Sequence, residues 1–229
     1  ADATPEALDA TSLNELYQIE RHRLPQDEGA STFVVSITPT KPLVDLNKRW
    51  RRRFMVGKPD LTWLDGDVLT LLESLPDALR FLQKNPLAWL STEVLDDLLL
   101  VAYELCDPDA PRPLFKAAQR VADHALALLR ALTDGAQCHW AYPNHRPPLR
   151  CLAVAVELCH LTMDKARALE LMRWGLALNP HDNHGWRLEL APLLLELGQH
   201  QEALDLMAQY PDDLPPSEHL RAVALFALG

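Results

Sequence analysis

The most pointed chemistry in the chain lies in seven consecutive residues, Lys48, Arg49, Trp50, Arg51, Arg52, Arg53 and Phe54, which interleave cations with aromatic rings. Cations neutralise phosphates and aromatic faces stack on bases, so this composition points to single-stranded nucleic acid. The same cations have a second use. From Lys41 to Lys58 seven basic residues stand against Asp45, a balance of +6, which leaves −16 on the rest of a chain whose formal net charge is −10. A basic segment on so acidic a body can dock on an acidic surface of its own molecule or of a partner.

Soft metal ligands gather in Cys138, His139, His145, Cys151, Cys159 and His160, but no cysteine pair stands at knuckle spacing. His181 and His184 flank Asp182 and Asn183 between two helices, where Asp and Asn cap the following helix without a metal. Neither GxSxG, HExxH nor GxxxxGK[ST] occurs. Asp96 with Asp97, and Asp212 with Asp213, are adjacent acids that point to opposite sides of a helix or lie in a turn, as solvated caps do. No catalytic residue, metal or cofactor is implied, and the chain reads as a non-enzyme.

The elements that position these residues are helical. With 48% hydrophobic and 24% charged residues the chain can bury a core, and its Leu and Ala excess with only 8 Gly argues for an all-α fold. Most of the 18 prolines fall between apolar-periodic segments, where they open or close helices. No stretch is long and apolar enough for a membrane span, and Ala1 to Ala10 lacks the regions of a secretion signal. Cys106, Cys138, Cys151 and Cys159 read as buried free thiols of a reducing compartment, which places the chain in the cytoplasm.

Residues 1–62 read as an irregular extension carrying the basic segment 41–58. A short helix is expected from Ser12 to about His22, and Thr32 to Ile37 is strand-like, making 32–62 an arm or edge element. Residues 63–148 read as helices over Asp67–Leu75, Pro76–Lys84, Ser91–Cys106 and Leu114–Leu132, then a loop from Thr133 to Pro148.

Residues 149–229 repeat. ALELM at Ala168–Met172 returns as ALDLM at Ala203–Met207, 35 residues later, and Pro180 and Pro215 keep that offset. The run Leu197, Gly198, Gln199, His200, Gln201, Glu202, Ala203 resembles the turn between the two helices of a tetratricopeptide repeat, with Ala191 at the small-residue position and Pro215 at the end of the unit. In the preceding unit Ala168, Gly175 and Pro180 match, while Met163 stands where Gly is expected. Tyr210 replaces a preferred Ala, and Pro192 interrupts a first helix at a cost of about 3 kcal/mol or a kink. Ser217 to Gly229 reads as the first helix of a third unit whose apolar face lacks its cover.

The resemblance implies stacked antiparallel helix pairs, a solenoid, and a protein-binding adaptor with no cofactor. Arg173, Trp174, His184, Trp186 and Arg187 are its candidate partner-binding residues, since Trp and Arg dominate interface energetics. Their alternative use is packing between repeats. Helix order and the segment Tyr142 to Arg146 are loosely similar to the eukaryotic transcription factor 25 family, linked to ribosome quality control. That similarity implies a ribosome- or RNA-associated factor whose phosphate contacts come from Lys48, Arg49, Arg51, Arg52 and Arg53.

Overall fold

Proline sets where several helices begin. It lies at the first turn of α4 (Leu75–Lys84), α6 (Arg112–Thr133) and α7 (Arg146–Leu161), where its missing N–H is not needed. The computed structural model describes residues 10–24, 32–54, 67–106, 109–211 and 215–229. These are mostly helical: α1 (Ala10–Leu16), α2 (Lys41–Phe54), α3 (Asp67–Glu73), α4, α5 (Thr92–Leu105), α6, α7, α8 (Lys165–Leu178), α9 (Trp186–Glu196), α10 (His200–Ala208) and α11 (Pro215–Leu228). A small antiparallel sheet pairs β1 (Tyr17–Arg23) with β2 (Phe33–Pro39). Among the described residues no helix is long and apolar enough to cross a membrane.

The N-terminal region differs from the expected arm. The run from Ser12 to His22 divides, because α1 ends at Leu16 and Tyr17–Arg23 pairs with the β-branched run of β2, Ile19 opposite Ile37 and Tyr17 opposite Pro39. Tyr17, Gln18 and Ile19 alternate inward and outward, which pairing rewards more than a short helix would. The basic segment is helix α2, and Lys58 lies outside the described residues. The loop expected to reach Pro148 ends earlier, since α7 starts at Arg146 and takes Pro147 and Pro148 into its first turn.

This N-terminal part is bonded into the body. Val35 N–H donates to Gln137 O at 2.9 Å and Gln137 N–H to Phe33 O at 2.7 Å, so β2 grips the loop that follows α6. The Tyr17 hydroxyl donates to Leu90 O at 2.8 Å and accepts from Thr92 N–H at 3.0 Å. Ser91 caps α5 by accepting from Val94 N–H, and its own hydroxyl donates to Asn47 Oδ1 of α2 at 2.8 Å. Two apolar clusters meet at α5: Leu95 and Leu99 belong to the main core with α6 to α11, whereas Val94, Leu98 and Val101 pack with α2, α3 and α4.

The 35-residue offset is geometric as well as textual. α7 and α9 end, and α8 and α10 begin, at positions separated by that interval. Both pairs turn through the same bonds: Asp164 N–H donates to Cys159 O at 2.9 Å and Gln199 N–H to Leu194 O at 2.8 Å, with Met163 and Gly198 at positive φ between them. This is the Schellman helix ending. Met163 therefore does what glycine does at φ 57°, with its side chain in solvent. Ala168 and Ala203, fully buried, open the second helix of each pair. Pro192 stays inside α9, where its ring leaves the Leu188 carbonyl without the usual helical donor.

Gly175 has a different reason. A Cβ there would overlap Cζ3 and Cε3 of the buried Trp186 and lie 2.8 Å from its Cη2, so α8 and α9 meet only because this residue has no side chain. Gly175→Ala should lower stability by about 2–3 kcal/mol in denaturant unfolding, and Trp186→Leu should restore part of the loss in the double variant. Additive losses would show that the contact is not the cause. Met163→Gly should raise stability by about 1 kcal/mol, measured the same way, because it relieves the left-handed backbone.

Candidate functional site

Helix α2 sorts the interleaved sequence into two faces. Leu43, Leu46, Asn47, Trp50 and Phe54 recur at helical spacing and are buried, while Lys48, Arg49, Arg51, Arg52 and Arg53 are exposed. Trp50 and Phe54 have no exposed surface, and with Phe81 they form an aromatic triad with centroids 4.6 to 5.8 Å apart. The expected base-stacking platform is therefore absent from α2. The three arginines of its last turn complement the helix dipole.

The outward cations have unequal company. Arg51 Nη2 lies 2.5 Å from Glu93 Oε2 of α5. Arg49 and Arg53 instead face α4 across an open pocket of about 340 Å³, lined also by Arg80, Phe81, Lys84 and Asn85. Arg80 pairs with Asp77 one turn earlier. Among the described residues no carboxylate forms an ion pair with Lys48, Arg49, Arg52, Arg53 or Lys84. Arg80 and Lys84 were not singled out in the sequence, although their spacing of four on a helix opened by Pro76 places them on one face.

The adjacent acids of α5 are not solvated caps. Asp96 receives Arg150 of α7 in a bidentate pair, Nε at 2.8 Å from Oδ2 and 3.1 Å from Oδ1, with Nη2 also on Oδ2. Asp97 points to the other side and accepts from Trp50 Nε1 at 2.8 Å. Burial pushes Asp96 up to about 6 against the opposing pull of Arg150, so it stays ionised at neutral pH. Burial and then the neighbouring Asp96 charge push Asp97 up to about 8, which keeps it protonated there. Both acids are committed to protein partners and serve as joints between helices. Asp212 and Asp213 lie outside the described residues.

The five candidate partner residues of the repeat region are used internally. Arg173 of α8 forks onto Glu202 of α10 at 2.6 and 2.5 Å and donates to Gln199 at 2.7 Å. Trp174 is half-buried under the Arg130 guanidinium of α6, 4.1 Å from its ring centroid. Arg187 donates to Asp182 at 2.8 Å and covers the Tyr210 ring at 4.9 Å. Asp182 caps α9, accepting from Trp186 N–H at 2.9 Å and Arg187 N–H at 3.0 Å. Trp186 is 3% exposed, which removes it from any surface a partner reaches. His184 stacks on Trp186 with centroids 4.4 Å apart and meets the edge of Trp140 at 4.8 Å, and burial pushes its pKa down to about 4, so it is neutral.

His139 and His181 lie 5.5 Å apart, yet among the described residues no group of three His, Cys, Asp or Glu is arranged to hold a metal ion. All four cysteines are buried and free, with Cys138 pushed up to about 12 by burial, which leaves it an inert thiol. Exposed large apolar side chains are scattered over several elements, but four of them gather on α11. Val223, Leu225, Phe226 and Leu228 are exposed, Phe226 by 90%, while Ala224 and the half-buried Leu220 hold the helix to the core. No family model, curated protein or solved structure matches the chain.

The raised Asp97 carboxyl has a measurable consequence. Its folded pKa exceeds the unfolded value near 4, so the folded state binds the extra proton and stability falls as pH rises toward and through about 8. Asp97→Asn keeps the acceptor for Trp50 and removes the ionisation. Between pH 6.5 and 8.5 its urea midpoint should lose most of the parental downward slope, with a gain of about 1–2 kcal/mol at pH 8. An unchanged slope would mean that Asp97 does not titrate in this range.

Proposed function

We propose that the chain is a non-catalytic helical adaptor of tetratricopeptide-like, solenoid-like build, which holds a partner protein through the apolar face of α11. The observation that carries this reading is α11 itself. A helical stretch that is apolar all round belongs in an interior, and the last two turns of α11, Ala222–Leu228, are such a stretch, showing Val223, Leu225, Phe226 and Leu228 to solvent on more than one side of the helix's contact with α9 and α10. The matching turns at Met163 and Gly198 and the buried Ala168 and Ala203 support the repeat resemblance. Helix α10 covers α9, and α11 in turn contacts both, so the fitting occupant of the remaining face is another amphipathic helix, supplied by the partner. Trp186 is buried and Arg173 and Arg187 already have partners within the chain, which favours α11 over the groove expected at those residues. Four buried free thiols suit a reducing, cytoplasmic setting.

The test compares the parental chain with the Val223→Ser/Phe226→Ser variant as baits in the source cell under crosslinking. One partner whose crosslinks join a helical segment to α11, and whose affinity falls at least tenfold with the variant, is the expected result. Undiminished recovery, or crosslinks that avoid α11, would overturn the reading. Crosslinks from α11 to a second copy, with a doubled mass in solution, would assign the face to self-association instead.

A further inference from the structure

We infer that the pocket between α2 and α4 is a binding site for the phosphate backbone of single-stranded nucleic acid. This goes beyond the adaptor reading and does not depend on it, since none of the pocket's residues lies on α11. Two rows of cations face one another there: Arg49 and Arg53 on α2, Arg80 and Lys84 on α4. Within each row the two residues stand four apart on a helix, about 6 Å along its axis, a step on which an extended strand sets successive phosphates. Anionic oxygens entering between the rows would meet guanidinium groups from both sides, which charge-assisted pairing favours. Asp77, the acid paired with Arg80, subtracts one charge, so the described residues leave the hollow at +3.

Phe81, held from beneath by Trp50 and Phe54, supplies an apolar wall against which a sugar can rest, and the Asn85 carboxamide stands beside it. The Asn85 Nδ2 already donates to Phe81 O at 2.8 Å, which leaves its Oδ1 as the free acceptor. Lys48 and Arg52, exposed beside Arg49 and Arg53, continue the positive surface past the pocket. An isolated phosphoryl group would use only the hollow, whereas a polymer of phosphates uses both. A hollow of about 340 Å³ is of the size of one nucleotide, so a flexible single strand, which can bend its backbone into it, suits it better than a rigid duplex. Because Trp50 and Phe54 are fully buried, recognition rests on backbone charge and is tolerant of base sequence.

The experiment is fluorescence anisotropy of the full chain with a labelled 12-nucleotide oligouridine across 50 to 200 mM salt. Four engaged phosphates predict a slope of log K against log salt of about −3. Arg80→Gln/Lys84→Gln should weaken binding at least tenfold and flatten the slope by about 1.4, with circular dichroism unchanged. Asp77→Asn should tighten binding by freeing Arg80, a response that a merely structural pair would not give. Equal affinity for 12-nucleotide oligothymidine supports backbone recognition, and unchanged binding by Val223→Ser/Phe226→Ser separates this site from the α11 face. Absence of binding at 50 mM salt overturns the inference. So does parental affinity in the α4 double variant, preference for a duplex, or equal binding of polyglutamate or a phosphopeptide.

Discussion

Two acids placed back to back on α5 hold the molecule's two halves in register. Asp96 reaches Arg150 of α7 and Asp97 reaches Trp50 of α2, so one turn of one helix is tied to the repeat region on one side and to the basic helix on the other. A buried ion pair contributes little net stability, because desolvation consumes most of its Coulomb energy. Its effect is on orientation: a shifted α7 would leave Asp96 charged and unpaired. Around this joint α5 can be apolar on both flanks, giving Leu95 and Leu99 to one core and Val94 and Leu98 to the other. The tie from Trp50 to Asp97 also decides which way α2 faces, and with Trp50 turned inward the arginines can only turn outward.

That rotation separates what the sequence spells out from what needs the fold. Helices with strong 3.6-residue patterning, α5 and α6 above all, were legible because burial of one stripe dominates their energetics. The turn at Gly198 was legible too, and the one at Met163 less so, because a non-glycine residue accepts a cost of about 1 kcal/mol to keep the same backbone. β1 reads as a continuation of α1 because Leu13, Leu16 and Tyr17 keep helical spacing, while Tyr17 and Ile19 alone carry the two-residue period, and only the distant partner β2 decides between the two. The aromatic interleaving of α2 misled for the opposite reason. Trp50 and Phe54 are four apart and so share a face, a fact the one-dimensional alternation conceals.

The repeat residues expected to meet a partner show a further limit. Trp and Arg are chosen for interfaces because they combine large apolar area with directed hydrogen bonds, and an interface between two helices of one chain has the same needs. Trp186 against Gly175, Arg173 on Glu202 and Arg187 over Tyr210 are such internal interfaces. The Gly175 contact is formed between residues 11 apart on different helices, and nothing in composition or spacing distinguishes this use from an external one. Exposure does, which is why Phe226, an unremarkable letter in the sequence, stands out in the structure.

Charge pairing gives the corresponding test for the polar surface. The chain has 32 acids and 22 Lys and Arg, so an exposed cation has an excess of carboxylates available, and Arg21, Arg51, Arg130, Arg150, Arg167, Arg173 and Arg187 each meet one. Exposed cations without an ion pair do occur elsewhere among the described residues, as Lys116 and Arg120 show on α6, but those two stand on one helix and not in two facing rows. Arg49, Arg53 and Lys84 converge instead with Arg80 on one hollow. Like charges brought together without a counter-ion repel one another and reduce stability. An acidic chain that keeps four cations around one concavity, with Asp77 the single carboxylate paired there among the described residues, holds a local field that an anionic ligand relieves, and the same repulsion that weakens the empty site strengthens its occupancy.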